Sequence, residues 1–85
     1  MQSEWLQRTE LLIKEEGIER LQSANILIVG LGGVGSFAAE FLVRSGIGNL
    51  TIVDGDTVDI TNINRQLPAL NSTIGKNKTD VVAER

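Results

Sequence analysis

The apolar run Ile26-Leu27-Ile28-Val29 feeds directly into Gly30-Leu31-Gly32-Gly33-Val34-Gly35, a glycine loop with the spacing G-x-G-x-x-G. An amphipathic stretch follows at once. Strand, glycines and helix in that order make a pocket for a phosphate anion. Gly30 permits the tight turn, Gly32 lets the backbone approach phosphate oxygens with no Cβ in the way, and Gly35 lets the helix pack close to the strand. Gly33 opens the helix, whose free N–H groups and dipole both favour negative charge. A second apolar run, Leu50-Thr51-Ile52-Val53, ends in Asp54, 19 residues beyond Gly35. A carboxylate there can accept hydrogen bonds from both hydroxyls of a ribose. Asp54, like Asp56, equally suits an Asx turn into the following loop.

To this point an oxidoreductase using NAD or FAD fits as well as an ATP user. The polar segment Asp59-Ile60-Thr61-Asn62-Ile63-Asn64-Arg65-Gln66 comes next, and Lys78 follows Arg65 by 13 residues. An arginine and a lysine beside a phosphate site suit the β- and γ-phosphates of ATP, whose charge must be neutralised as pyrophosphate leaves. The competing readings are a surface ion pair for Arg65 and a solvated helix position for Lys78.

Several elements must position these residues. Residues 3–22 read as helical, in two segments broken near Gly17, with Trp5, Leu6, Leu12, Ile13, Ile18 and Leu21 on a shared apolar face. Residues 26–29 suit a strand buried on both faces. A helix is predicted over residues 33–45, with Val34, Phe37, Ala38, Phe41 and Leu42 as its apolar stripe and Gly46 past its end. Residues 50–53 form the second strand, 59–66 suit a short helix, and a last helix begins near Gly75 or Lys76. The predicted class is α/β: the N-terminal part of a Rossmann-like nucleotide-binding fold, with an incomplete parallel sheet. The expected organisation is a helical arm over residues 1–24 and a nucleotide-binding βαβ unit over residues 25–85. Two strands are few for such a fold, so the chain reads as a piece of a longer domain.

Composition narrows the classes. Apolar residues make up 41% of the chain, which suits a globular domain, and a net charge of −3 leaves no basic footprint for nucleic acid in these residues. With neither cysteine nor histidine, the chain has no disulfide, thiol nucleophile or imidazole base of its own, and no internal metal site is expected. The acidic start Met1-Gln2-Ser3-Glu4 does not resemble a signal peptide, and no apolar run is long enough to span a bilayer. The expected location is the cytoplasm, with no membrane contact.

Taken in order, Gly30–Gly35, Asp54-Gly55-Asp56-Thr57-Val58, Thr61-Asn62-Ile63-Asn64-Arg65-Gln66 and Gly75-Lys76-Asn77-Lys78 resemble the ThiF/MoeB family of ATP-dependent adenylating enzymes, bacterial relatives of ubiquitin-activating enzymes. The resemblance runs from Arg8 to Arg85. Arg65-Gln66-Leu67-Pro68-Ala69-Leu70 and Val82-Ala83-Glu84-Arg85 look most like the tRNA threonylcarbamoyladenosine dehydratase branch, with MoeB, the activator of molybdopterin synthase, as the competitor. The resemblance implies that a carboxylate attacks the α-phosphate of ATP. That carboxylate sits on a tRNA adenosine in one branch and at the C-terminus of a ubiquitin-like sulfur carrier in the other. It also implies that Asp54 holds the ribose, that Asn62, Arg65 and Lys78 contact the triphosphate, and that Gln66 supports them. Arg8 matches an arginine that reaches the partner's ATP across a homodimer. The family's magnesium-binding aspartate is expected beyond Arg85, so these residues alone should be inactive. A third reading keeps the fold as a non-catalytic interaction module that binds a partner through Trp5 and the N-terminal helices.

Overall fold

A computed structural model describes residues 4–85. Residues 1–3, including the predicted helix start at Ser3, fall outside the described part. A 3-10 turn at Glu4–Leu6 leads into helix α1 (Gln7–Ser23), followed by strand β1 (Asn25–Val29), helix α2 (Gly33–Arg44) and strand β2 (Asn49–Val53). A second 3-10 turn at Ile60–Asn62 precedes helix α3 (Lys78–Glu84). The strands pair in parallel, in register from Asn25 opposite Asn49 to Val29 opposite Val53. Parallel neighbours need a crossover, and α2 supplies it.

Two close backbone approaches set the layout. At Gly35 an added Cβ would land on the Gly30 carbonyl, and at Gly48 on the Gln22 carbonyl. The first clamps α2 onto the end of β1; the second seats the end of α1 on the α2–β2 turn, where the Gly48 N–H donates to the Leu21 carbonyl at 3.0 Å. Leu6, almost fully buried, lies against Gly46 in the same turn. Leu6 and the C-terminal end of α1 therefore both sit at the C-terminal end of α2.

The break in α1 falls at Lys14, not near Gly17. Lys14 has φ 65° and ψ 174°, a conformation that costs a residue with a Cβ of order 1–3 kcal/mol. Gly17 serves the break from a distance, because a Cβ there would sit 2.7 Å from the Ile13 Cβ. The kink changes the phase of the helix, so the predicted single apolar face does not persist. Leu6 and Ile18 are buried, whereas Trp5 and Leu12 stand exposed.

The predicted two-sided burial of β1 is also corrected. Both strands alternate, with Ile26, Ile28, Leu50 and Ile52 turned inward and Leu27, Val29 and Val53 exposed. Among the described residues, α2 packs on both strands and α3 on β2. In α2 the predicted stripe is out of phase. Ser36 and Ala39 are buried, while Val34, Phe37 and Phe41 are exposed. The contact of Gly35 with Gly30 decides which side of α2 meets the strand, and that steric demand outranks apolar area. The rings of Phe37 and Phe41 lie 6.2 Å apart on the outer side.

Beyond β2 the chain doubles back. The Val58 N–H donates to the Lys76 carbonyl and the Gly75 N–H to the Val58 carbonyl, both at 2.8 Å. These bonds engage Gly75 and Lys76 in a ladder, which is why α3 starts at Lys78 and not at Gly75 or Lys76 as predicted. No helix among the described residues is long and apolar enough to cross a membrane.

Gly48→Ala should lower unfolding stability by about 2 kcal/mol or more, since backbone must move to admit the methyl group. Gly55→Ala, where an added Cβ meets nothing within 4 Å, should stay within about 0.5 kcal/mol of the parent. Urea denaturation of both variants checks the pair.

Candidate functional site

The glycine loop begins where β1 ends. Gly30 adopts φ 94°, open to glycine at little cost, and its N–H donates to the Val53 carbonyl at 2.8 Å. The next amide, Leu31 N–H, donates to Oδ2 of Asp54 at 2.6 Å. Gly32 caps α2 and Gly33 is its opening residue. As at any helix start, the leading N–H groups lack partners within the helix and are available to an anion.

Asp54 does two things at once. Its Oδ1 accepts from the Asp56 N–H at 2.8 Å, the expected Asx turn, while Oδ2 holds the loop. The Leu31 N–H is the main cause that keeps this carboxyl below its ordinary value of 3.8; the Asp56 N–H and the Lys78 charge add to it, and partial burial opposes them. The group is therefore ionised, with lone pairs left for a ribose.

Lys78 is brought beside it by the returning chain, its own N–H donating to the Asp56 carbonyl at 3.1 Å. The solvated alternative for Lys78 is overturned: the residue is only 6% exposed. The ion pairs among the described residues are Arg20–Glu16, Arg44–Glu40 and Arg85–Glu40, so Lys78 has none. Its charge also helps hold Asp59 below the usual carboxylate value, behind the larger effects of the Thr61 N–H and hydroxyl. Asp54 and Asp59 are the carboxylates that feel its charge, neither within ion-pair distance, so the ammonium can still take up an added anion.

Asn62 and Asp59 form a reciprocal cap, with Asn62 Oδ1 accepting from the Asp59 N–H at 2.9 Å and Asp59 Oδ1 accepting from the Thr61 N–H at 2.8 Å. Both Arg65 and Gln66 reach the glycine loop. An added Cβ on Gly33 would lie 3.8 Å from Arg65 Cγ, and one on Gly32 would lie 3.7 Å from Gln66 Nε2. Arg65 is exposed and makes no ion pair among the described residues, so the surface-pair alternative does not apply. Gln66 is buried, and its Oε1 has no hydrogen-bond partner among the described residues.

Arg8 is not brought to this cluster. It follows the buried Leu6 at the far end of α2, about 18 Å along a helix of that length from the glycines. Asp56 contributes main-chain atoms to the site. Ser36 was not foreseen: its hydroxyl donates to the Gly32 carbonyl and accepts from the Leu67 N–H at 3.3 Å, tying the loop to the Arg65–Gln66 segment. No sequence signal marked it, because the expected apolar stripe of α2 left Ser36 on the outer side. The Leu31 amide left no trace either.

A cleft of about 540 Å³ lies elsewhere, between α2, β2 and α3, lined by Glu40, Leu50, Leu67 and Val82 among others. Of the predicted site residues none lines it. The described residues hold no group of three or more His, Cys, Asp or Glu arranged to bind a metal.

This geometry agrees with what comparison with known proteins finds. The ThiF family model matches residues 6–85, and the chain belongs to that family. The tRNA threonylcarbamoyladenosine dehydratase of Bacillus subtilis (strain 168) is 55% identical over 78 residues, covering 92% of this chain and 31% of the relative. The molybdopterin-synthase adenylyltransferase of Escherichia coli (strain K12) is 43% identical over 65 residues, 76% of this chain and 26% of the relative. Among solved structures, E. coli tRNA N6-threonylcarbamoyladenosine dehydratase in complex with ATP superposes with a TM-score of 0.90 at 46% identity, over 99% of this chain and 36% of that one. The helices and two parallel strands are thus part of a Rossmann-like fold, as the sequence implied. The chain spans about a third of the length of these dehydratases.

Asp54→Ala should speed hydrogen exchange at the Leu31 amide. Because the native carboxyl titrates below its ordinary 3.8, its stabilising contribution is present above that value and lost as the pH falls through the lowered native one. The stability curves of parent and variant should therefore converge in acid. A gap that stays constant from neutral to strongly acid pH would count against the clamp.

Proposed function

We propose that the full-length protein uses ATP to adenylate a carboxylate. The buried, unpaired Lys78 ammonium beside a glycine loop and an ionised Asp54 is the observation that carries this reading. A bridging pyrophosphate such as that of NAD is already served by the loop amides, whereas a triphosphate brings the extra anion that Lys78 lacks.

In this reading Asp54 accepts hydrogen bonds from the ribose and the loop amides hold the α-phosphate. Asn62, Arg65 and Lys78 contact the triphosphate, and Gln66 supports them. The carboxylate oxygen forms a bond to the α-phosphorus as the bond to the β-phosphate oxygen breaks, giving an acyl-adenylate and pyrophosphate. Charge grows on the departing oxygen, and Arg65 with Lys78 stabilises it in surroundings less polar than water. Arg8, distant from its own site, serves the site of a second copy in a homodimer. For the carboxylate, the threonylcarbamoyl group on a tRNA adenosine is favoured by the 55% identity to a dehydratase against 43% to the molybdopterin-synthase enzyme; the C-terminus of a ubiquitin-like sulfur carrier is the second reading.

Family resemblance implies magnesium. Both oxygens of Asp54 already accept backbone N–H groups, and no cluster of acidic residues stands ready for a cation among the described residues. The resemblance puts the magnesium-binding aspartate beyond Arg85, and no part of the step is assigned to the ion.

Lys78→Ala and Arg65→Ala in the full-length protein should each lower substrate-dependent pyrophosphate release by ~10²-fold or more. Undiminished release in both variants would sink the roles given to these residues.

A further inference from the structure

One side chain next to the site has no place in the scheme above. Asn64 Oδ1 accepts a hydrogen bond from Arg65 Nη1 at 2.8 Å, and the Thr61 carbonyl accepts from the same nitrogen at 3.0 Å. Nη1 carries two protons, and these two acceptors use both. Nε and Nη2 make no hydrogen bond among the described residues. Those two nitrogens form one edge of the guanidinium, the edge that pairs with two oxygens of a phosphate or carboxylate at once. The stem of Arg65 is placed as well, since it passes beside Gly33. Main chain and Asn64 together therefore fix an exposed, long side chain that would otherwise sample many rotamers.

We propose that Asn64 is a positioning residue for Arg65, holding Nη1 so that the Nε–Nη2 edge is presented to a terminal phosphate of the bound nucleotide. The proposal rests on the ATP reading above. A neutral amide suits the task. It orients the guanidinium through its oxygen without cancelling the charge that a phosphate needs, as a carboxylate at the same place would. Asn64 itself touches no phosphate in this scheme, and its effect passes wholly through Arg65.

Titration calorimetry on the full-length protein tests this with ATP and AMP as the probes. Arg65→Ala should weaken ATP by about 10- to 100-fold, the loss of a charge-assisted contact. Asn64→Ala should weaken ATP by about three- to tenfold and leave AMP, which lacks the terminal phosphates, within about twofold of the parent. In the Arg65→Ala background, Asn64→Ala should have no further effect, because the group it positions is gone. Unchanged ATP affinity in Asn64→Ala, an equal loss for ATP and AMP, or losses that add in full in the double variant would each overturn the positioning role. If Arg65→Ala binds ATP as the parent does, the assignment of Arg65 to the triphosphate fails and the proposal falls with it. A loss in Arg65→Ala without one in Asn64→Ala removes the positioning role alone and leaves the ATP reading standing.

Discussion

The ends of β1 and β2 are joined by two hydrogen bonds, from the Gly30 N–H to the Val53 carbonyl and from the Leu31 N–H to the Asp54 carboxylate. The rest of the site hangs from this junction. Its first consequence is that Leu31 is held in place just ahead of Gly32 and Gly33, so the loop amides open in one direction. Its second runs the other way along the chain. Asp54 also accepts from the Asp56 N–H, which sets the path toward Val58, and Val58 pairs with the segment that delivers Lys78. A single carboxylate thus fixes both walls of the cradle, the glycine loop on one side and the buried ammonium on the other. A ribose reaching Asp54 must use the lone pairs that these backbone donors leave.

The two cations that flank the loop stand on different physical footings. Lys78 is buried and seated by main-chain bonds, and it makes no ion pair among the described residues. Its field is little screened, and it has few alternative positions. Arg65 lies on the exposed rim and owes its place to local acceptors, Thr61 and Asn64. The first is a charge on a residue held in place by its backbone bonds. The second is a fork on the rim, oriented by two charge-assisted hydrogen bonds.

Much of this was legible in the sequence, and the reasons are local. Gly30, Gly35 and Gly46 punctuate a strand and a helix, and such punctuation acts on the backbone of neighbouring residues, so β1, α2 and β2 fall close to their expected bounds. The glycine spacing also carried the contact between α2 and the strand. What could not be read was orientation. Val34, Phe37 and Phe41 look like an inward stripe, yet Ser36 and Ala39 are the buried residues, because the contact of Gly35 with Gly30 sets which side of α2 meets the strand. Lys14 at φ 65° has no marker at all, since lysine gives no hint of a left-handed turn. The burial of Lys78 was equally hidden, because it depends on a ladder between Val58 and Lys76 that joins residues far apart in the chain. Arg8 could be matched to a motif, but its distance from the glycines is a property of how the whole arm folds.

The ionised state of Asp54 has a bearing on how the cradle answers to acidity. Asp54 and Asp59 titrate below the ordinary carboxylate range, and the chain contains neither histidine nor cysteine. The acids and bases that usually respond between mild acid and mild alkali are therefore missing from these walls. Within these residues a bound phosphate that changes its own protonation near neutrality meets no compensating change at Asp54 or Asp59. The two carboxylates give the loop a constant negative reference against which the chemistry of a bound molecule can be read.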